Sequence, residues 1–268
     1  MKTKKLNILF TYLVLVLFSF FILVPFEWLF LTSFHPKASI YTSLPKSLTL
    51  SNFLRSFTEY NMLTLLTNSI ILSVTAMLVA ISVSLLAGYV VSRFHFVWKS
   101  FFMYSILLLR IFPPTSLMLP VYIMARHLNL NDSLFGLGLI IGTLQIPLSI
   151  WIIKGFFDAV PHEIEEAAFI DGCSRLRVIF KILLPIARPG IVVAGLFAFI
   201  AAWGNFLFPL ILISSPEKMP FSLGLFNTYI IYHLVDWGAL SAMSLLYTLP
   251  PVIFFLLGRK SLVKIMLG

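Results

Sequence analysis

An all-α, polytopic membrane fold of six spans is what this sequence predicts, and three observations carry that expectation. Of its 268 residues, 60% are hydrophobic and only 11% are charged, with a mean hydropathy of +1.01. Soluble domains carry about 25% charged residues. Several stretches exceed the roughly 20 apolar residues that cross a bilayer. The basic residues also divide by side, thirteen against five, with Arg110 left inside a span, which accounts for all nineteen. No stretch has the composition of a separate soluble domain, so residues 1–268 are expected to form a single transmembrane domain.

The spans fall near 7–33, 64–91, 100–124, 134–155, 189–213 and 239–258, joined by segments 34–63, 92–99, 125–133, 156–188 and 214–238. The first follows Met1-Lys2-Thr3-Lys4-Lys5 and runs apolar to about Thr32. That is too long for a signal-peptide core and lacks a small-x-small cleavage site, so it is expected to stay as a span. Lys2, Lys4, Lys5, Arg93, Lys154, Arg188 and Arg259 belong to the basic-rich side. Lys37, Lys46, Arg55, Arg126 and Lys218 lie on the other. The positive-inside rule then places both termini and segment 156–188 in the cytoplasm, with the chain multi-pass in the cell membrane. The net charge of +9 is explained by this topology and by anionic membrane lipid, not by a nucleic-acid partner. A single cysteine, Cys173, excludes an internal disulfide and a Cys-based metal cluster.

Span 3 carries Arg110 just before Pro113 and Pro114. A charge there must face the bundle or a wet cavity, and the prolines free backbone carbonyls that need partners inside protein. Arg110 is either part of the translocation path or a structural residue paired with such a carbonyl. Span 4 contains Gly138 and Gly142 four apart, and span 5 repeats Ala194, Ala198 and Ala202, patterns suited to close helix packing. Asn131-Asp132-Ser133 between spans 3 and 4 fits a glycosylation sequon, read as coincidence. In span 5, Trp203 and Asn205 pair an aromatic face with an amide, the chemistry that holds a neutral sugar, or else Trp203 simply packs a helix. The outer segments 34–63 and 214–238 are long enough to dock a soluble protein, though any exposed loop has such composition.

Segment 156–188 is the one long charged insertion. Pro161 suits a first helical position, and Glu163, Glu165 and Glu166 favour the first turns of a helix running to about Ile170. Gly172 suits a left-handed stop. Ser174 can cap a second helix, Arg175 to Leu183, ended by Pro185. Glu163, Glu166, Ala167 and Ile170 share one face. Small Ala167 and Ala168 permit close approach of a partner, while a pair of helices lying on lipid headgroups is the alternative.

Glu166-Ala167-Ala168, Gly172 four residues on from Ala168, and Ile182-Leu183-Leu184-Pro185 resemble the EAA loop of binding-protein-dependent ABC importer permeases. In that family the loop is a coupling helix seated in a cleft of a cytoplasmic ATPase. The resemblance implies a type I, MetI-like permease fold with cytoplasmic coupling helices. It also implies that Glu163, Glu166, Ala167, Ala168, Ile170, Asp171, Gly172, Leu184 and Pro185 form the coupling unit. Asn68-Ser69, Pro113-Pro114 with Pro120, Pro189-Gly190, Phe206 to Leu210, Asp236-Trp237-Gly238 and Leu249-Pro250 are similar to the carbohydrate, MalG-like branch. The chain departs from it at Trp203-Gly204, where Trp-Asn is usual, and in ending at Met266-Leu267-Gly268.

The resemblance implies four partners: a second, MalF-like permease, two ABC ATPase subunits and an extracytoplasmic sugar-binding protein. No Gly-x4-Gly-Lys-Ser/Thr occurs, so ATP and Mg are expected to be used by the partner ATPases, with no cofactor bound by this chain. The expected function is sugar import by alternating access, with Arg110, Trp203 and Asn205 as candidate path residues and no catalytic residue. A non-sugar solute is the alternative cargo. A self-sufficient secondary transporter would want paired membrane carboxylates, and only Glu27 lies within a span. A membrane enzyme would want a convergent nucleophile and base, and the sequence offers neither.

Overall fold

The computed structural model describes the backbone of residues 2–41, 47–231 and 235–267, and the side chains of 10–41, 47–227 and 235–259. Lys46 and the terminal Gly268, both used in the sequence reading, lie outside the described residues. Every regular element among those described is helical. In chain order they are α1 (Lys2–Ser33), α2 (Ser51–Thr58), α3 (Met62–Arg93), α4 (Lys99–Leu108), α5 (Pro114–His127), α6 (Leu134–Asp158) and α7 (His162–Ile170). Then come α8 (Arg175–Val178), α9 (Leu184–Ile186), α10 (Arg188–Trp203), α11 (Leu207–Leu212), α12 (Phe221–Ile231) and α13 (Trp237–Leu267).

Among the described residues, four helices are long and apolar enough to cross a membrane: Phe10–Ser33, Met62–Arg93, Leu134–Asp158 and Trp237–Arg259. They match the predicted spans 1, 2, 4 and 6. The other two expectations need correction. Span 3 is not one helix: α4 ends in a 3-10 turn, Leu109–Ile111, and α5 departs at 98°. The cause is local. Phe112 is held extended at ψ 122° by the proline after it, Pro113 at ψ 139° precedes the helix, and Pro114 occupies the first turn of α5, where a missing N–H costs nothing. Span 5 is likewise divided into α10 and α11 by the break at 204–206, and α10 itself leaves the preceding helix at 81°. Segments 34–63 and 214–238, which read as loops, also contain helices, α2 and α12.

The described chain forms two compact units. One comprises residues 1–63 and 225–249. In it the Asn52 side-chain amide donates to the carbonyls of Ser33 (2.8 Å) and His35 (3.0 Å), and the Arg55 guanidinium meets Asp236 at 2.5 Å. Asp236 in turn accepts from the Ala239 N–H (3.1 Å), capping α13. Trp28 and Trp237 meet edge to face, centroids 6.2 Å apart.

The second unit comprises 64–224 and 250–268. Its centre is a close crossing of α3 and α6. A Cβ on Gly138 would lie 2.7 Å from Thr75, and one on Gly142 would lie 2.7 Å from the Ala76 carbonyl. Only a missing side chain permits that approach. Helix α10 packs along α6, with Ala194, Ala198 and Ala202 fully buried. One apolar cluster gathers Leu72, Leu137, Ile141, Phe208 and Leu212; another gathers Leu85, Ile153, Phe157, Val178 and Leu183 beneath α7 and α8.

Candidate functional site: an exposed hairpin and a cavity at a broken helix

The charged insertion folds as a helical hairpin. Pro161 stands one position before α7, extended at ψ 140°, so His162 is the first helical residue. Helix α7 stops as the residues dictate. Gly172 sits at φ +81°, its N–H donates to the Phe169 carbonyl, and the Cys173 N–H donates to Ala168, both at 3.0 Å. This is the paired C-terminal arrangement that a left-handed glycine allows. Ser174 precedes α8 in an extended conformation, but its hydroxyl makes no capping bond. The second helix does not end at Pro185. It widens into a π turn, Ile179–Leu183, and continues to Ile186. Proline has no N–H to give and its ring crowds the carbonyl four residues back, and the wider turn accommodates both.

Helix α7 has two faces. Glu163, Glu166, Ala167 and Ile170 are exposed, Ile170 at 86%, as are Asp171, Gly172 and Pro185. Ala168 is only 6% exposed and Leu184 packs against the same buried cluster, so these two residues support the hairpin from within. Glu165, three residues before Ala168, points the same way and is 4% exposed. It forms an ion pair with Arg93 at the end of α3, the two side chains 6% and 5% exposed. Arg93 also donates to the Val160 carbonyl (3.0 Å), and the Tyr89 hydroxyl donates to the second Glu165 oxygen (3.4 Å). Beside it the Ser92 hydroxyl donates to Asp158 (2.6 Å), which also pairs with Lys154. Arg175 lies over the Phe94 ring at 5.0 Å. The hairpin is thus tied to the end of α3 by buried charge, and Arg93 holds the Val160 carbonyl just beyond α6 as well. The pattern of exposed residues hints at Glu165, which falls on the opposite face. Nothing in the sequence names Arg93 as its partner.

At the opposite end of α6, Asp132 forms a clamp. Its carboxylate accepts from the Ser215 hydroxyl (2.6 Å), the N–H groups of Ser215 (2.9 Å) and Ser214 (3.0 Å), and Lys218 (3.0 Å). The Ser215 bonds foremost, then Lys218 and Ser214, hold the Asp132 carboxyl well below the usual range. Ser133, the third residue of the apparent sequon, instead caps α6 by accepting from the Gly136 N–H (3.1 Å).

The break between α4 and α5 opens a cavity of about 290 Å³. Arg110, Thr143, Gln145 and Asn205 supply its polar lining, with Phe112 and Phe208 among the apolar residues. The structure therefore brings Arg110 and Asn205, 95 residues apart in sequence, to one cavity. The Asn205 side-chain oxygen accepts from the Phe208 N–H (3.1 Å), fixing the start of α11. Trp203 is not with them. It is 3% exposed and stacks back on Phe199 at 5.7 Å, which itself stacks on Phe254 at 4.7 Å. As the last residue of α10 it lies one turn from Phe199 on the same face, so packing claims its ring.

Residues 80–264 match the family described as binding-protein-dependent transport system inner membrane component. The maltodextrin transport system permease protein MdxG of Bacillus subtilis is 31% identical over 81% of this chain and 78% of its own length. The sulfoquinovosyl glycerol transport system permease protein SmoH of Agrobacterium fabrum is 28% identical over 83% of this chain and 78% of its own. A chain from the crystal structure of a bacterial ABC transporter involved in the import of the acidic polysaccharide alginate superposes with a TM-score of 0.83. That alignment covers 97% of this chain and 98% of that one at 20% identity, which speaks to fold alone.

Proposed function

The chain belongs to the binding-protein-dependent transport system inner membrane component family, and from that premise we propose that it is a sugar-translocating permease subunit of an ATP-driven importer. The sugar assignment is supported by relatives named for maltodextrin, diacetylchitobiose and sulfoquinovosyl glycerol transport. It spans the cell membrane six times, counting α4 with α5 and α10 with α11 as broken spans, with both termini in the cytoplasm. Its partners are a second permease, two ATPase subunits that use ATP and Mg, and an extracytoplasmic sugar-binding protein.

The observation that carries the proposal is the outward face of α7. Glu163, Glu166, Ala167 and Ile170 form a small, acidic and apolar ridge ending in Asp171 and the left-handed Gly172. The ridge inserts into a cleft of the ATPase. Small Ala167 lets the surfaces close, Ile170 supplies apolar contact, and Glu166 supplies charge. Because Glu165 fastens the back of the same helix to Arg93, motion imposed on α7 passes directly to α3. Closure of the ATPases then favours one of two arrangements of the spans. The cavity holding Arg110, Thr143, Gln145 and Asn205 lies on the path, where donors and acceptors meet sugar hydroxyls and Phe112 and Phe208 meet the apolar faces of the ring.

The test is Glu166→Lys in the complete complex reconstituted in liposomes. Binding protein loaded with sugar is expected to stop stimulating ATP hydrolysis and uptake, while insertion and assembly continue. Normal stimulation and uptake by the variant would overturn the proposal.

A further inference from the structure

Helix α2 is turned the wrong way for a surface in water. Two polar residues at its middle, Asn52 and Ser56, are 1% and 0% exposed, with Ser51 and Thr58 exposed at its ends, whereas Leu54 and Phe57, and Leu50 just before it, are 65%, 45% and 68% exposed. Those three follow i, i+4, i+7 spacing and form one apolar stripe. The inversion is fixed by bonds. Asn52 donates to the Ser33 and His35 carbonyls, Ser56 donates to the Asn52 carbonyl (2.8 Å), and Arg55 is held by Asp236.

The level at which α2 is pinned follows from α1. Lys5 and Glu27 are 22 residues apart on one helix, about 33 Å at 1.5 Å per residue, which matches a hydrocarbon core of about 30 Å. Trp28 comes next, the residue type of the membrane–water boundary. Ser33 lies one and a half turns further out, so a helix hung from its carbonyl lies among the headgroups. Residues 10–27 of α1 are exposed throughout, and the exposed Phe26 and Phe30 lead up to that point. Phe34 links the two helices, its ring against Phe30 on one side and Phe53 of α2 on the other, and both helices carry exposed apolar surface suited to lipid.

We propose that α2 is an interfacial helix, lying in the headgroup layer on the side opposite the amino terminus, with Leu50, Leu54 and Phe57 in the acyl boundary. Its ligand is the lipid surface itself. A protein that docks and leaves with each cycle would expose the stripe to water between visits, and lipid does not leave. The inference rests on α1 crossing the bilayer and is independent of the cargo. Anchored this way, α2 sets the depth of the outer ends of α1 and α13, which Asn52 and Arg55 hold.

Spin labels at Leu50→Cys, Leu54→Cys and Phe57→Cys in a Cys173→Ser background test it, in the full complex in phosphatidylcholine–phosphatidylglycerol nanodiscs. Relaxation by oxygen, which partitions into lipid, is expected to exceed relaxation by an aqueous nickel chelate at all three positions. Greater access to the nickel chelate would place the stripe in water. Access to neither would place it against a second permease or a binding protein. Either result overturns the proposal.

Discussion

Removing the buried carboxylate behind the exposed ridge of α7 should free the hairpin without unfolding the protein. Glu165→Ala leaves the Arg93 guanidinium, 5% exposed, without its counter-charge. Breaking such a pair from one side costs about 3–5 kcal/mol. Some of that is recovered because Arg93 keeps the Val160 carbonyl and Ser92 hydroxyl, so the lower end is expected. At about 1.4 kcal/mol per factor of ten, the amides of 162–170 should lose roughly a hundredfold of exchange protection, down to the limit set by local opening. Hydrogen exchange of the assembled complex, read by mass spectrometry, measures this directly. Peptides from α3 and α6 away from the pair should change little. Glu165→Leu with Arg93→Met should restore most of the protection, because a well-packed apolar pair can replace a buried ionic one. Glu166→Lys, one residue away and exposed, should leave protection within the ±0.5 kcal/mol typical of surface changes and yet uncouple transport. Unchanged protection in Glu165→Ala would refute the anchoring argument.

Gly172→Ala should cost about 1–2 kcal/mol, since no Cβ is tolerated cheaply in the left-handed region even though space there is open. Gly172→Pro should be worse, losing the bond to Phe169, and exchange at 168–173 together with ATPase stimulation reads both. Arg110→Ala should reduce uptake more than it reduces membrane expression, and equal losses would return Arg110 to a structural role. Asp132 has a depressed folded-state pKa, so its contribution is present above the ordinary aspartate range near 3.9 and fades as pH falls through the lower folded value. Exchange protection at 214–218 should therefore weaken on acidification in the parent, and be lower but pH-independent in Asp132→Asn.

The four unbroken spans were legible because a run of more than twenty apolar residues has few other fates in a chain this oily. The hairpin was legible from punctuation: acidic first turn, Gly172, Pro185. Its interior was not. Ala168 and Leu184 read as partner contacts because sequence pattern does not reveal which side of a short helix the rest of the chain covers. Glu165 could be placed off the exposed face by its spacing, but its partner Arg93, 72 residues away, could not be named. The breaks at Phe112–Pro114 and Gly204–Phe206 interrupt hydropathy too briefly to divide a span, although Pro113 and Pro114 carried the backbone reason. Arg110 and Asn205 were each picked for chemistry, and only tertiary packing could bring them to one cavity while withdrawing Trp203 into a stack with Phe199. Helix α2 escaped notice because Asn52 and Ser56 face inward while Leu54 and Phe57 face outward, the reverse of the usual amphipathic sign.

On the function proposed above, the exposed ridge of α7 receives the force of ATP hydrolysis. Ala167→Cys, made in a Cys173→Ser background, puts a thiol on that ridge without touching the buried Arg93–Glu165 pair. A short bifunctional cross-linker applied to the assembled importer should join it to an ATPase subunit, with yield changing between the nucleotide-free and ATP-bound states. A thiol that reacts only with reagents added from outside the cell, or that never cross-links to the ATPase, would contradict the account.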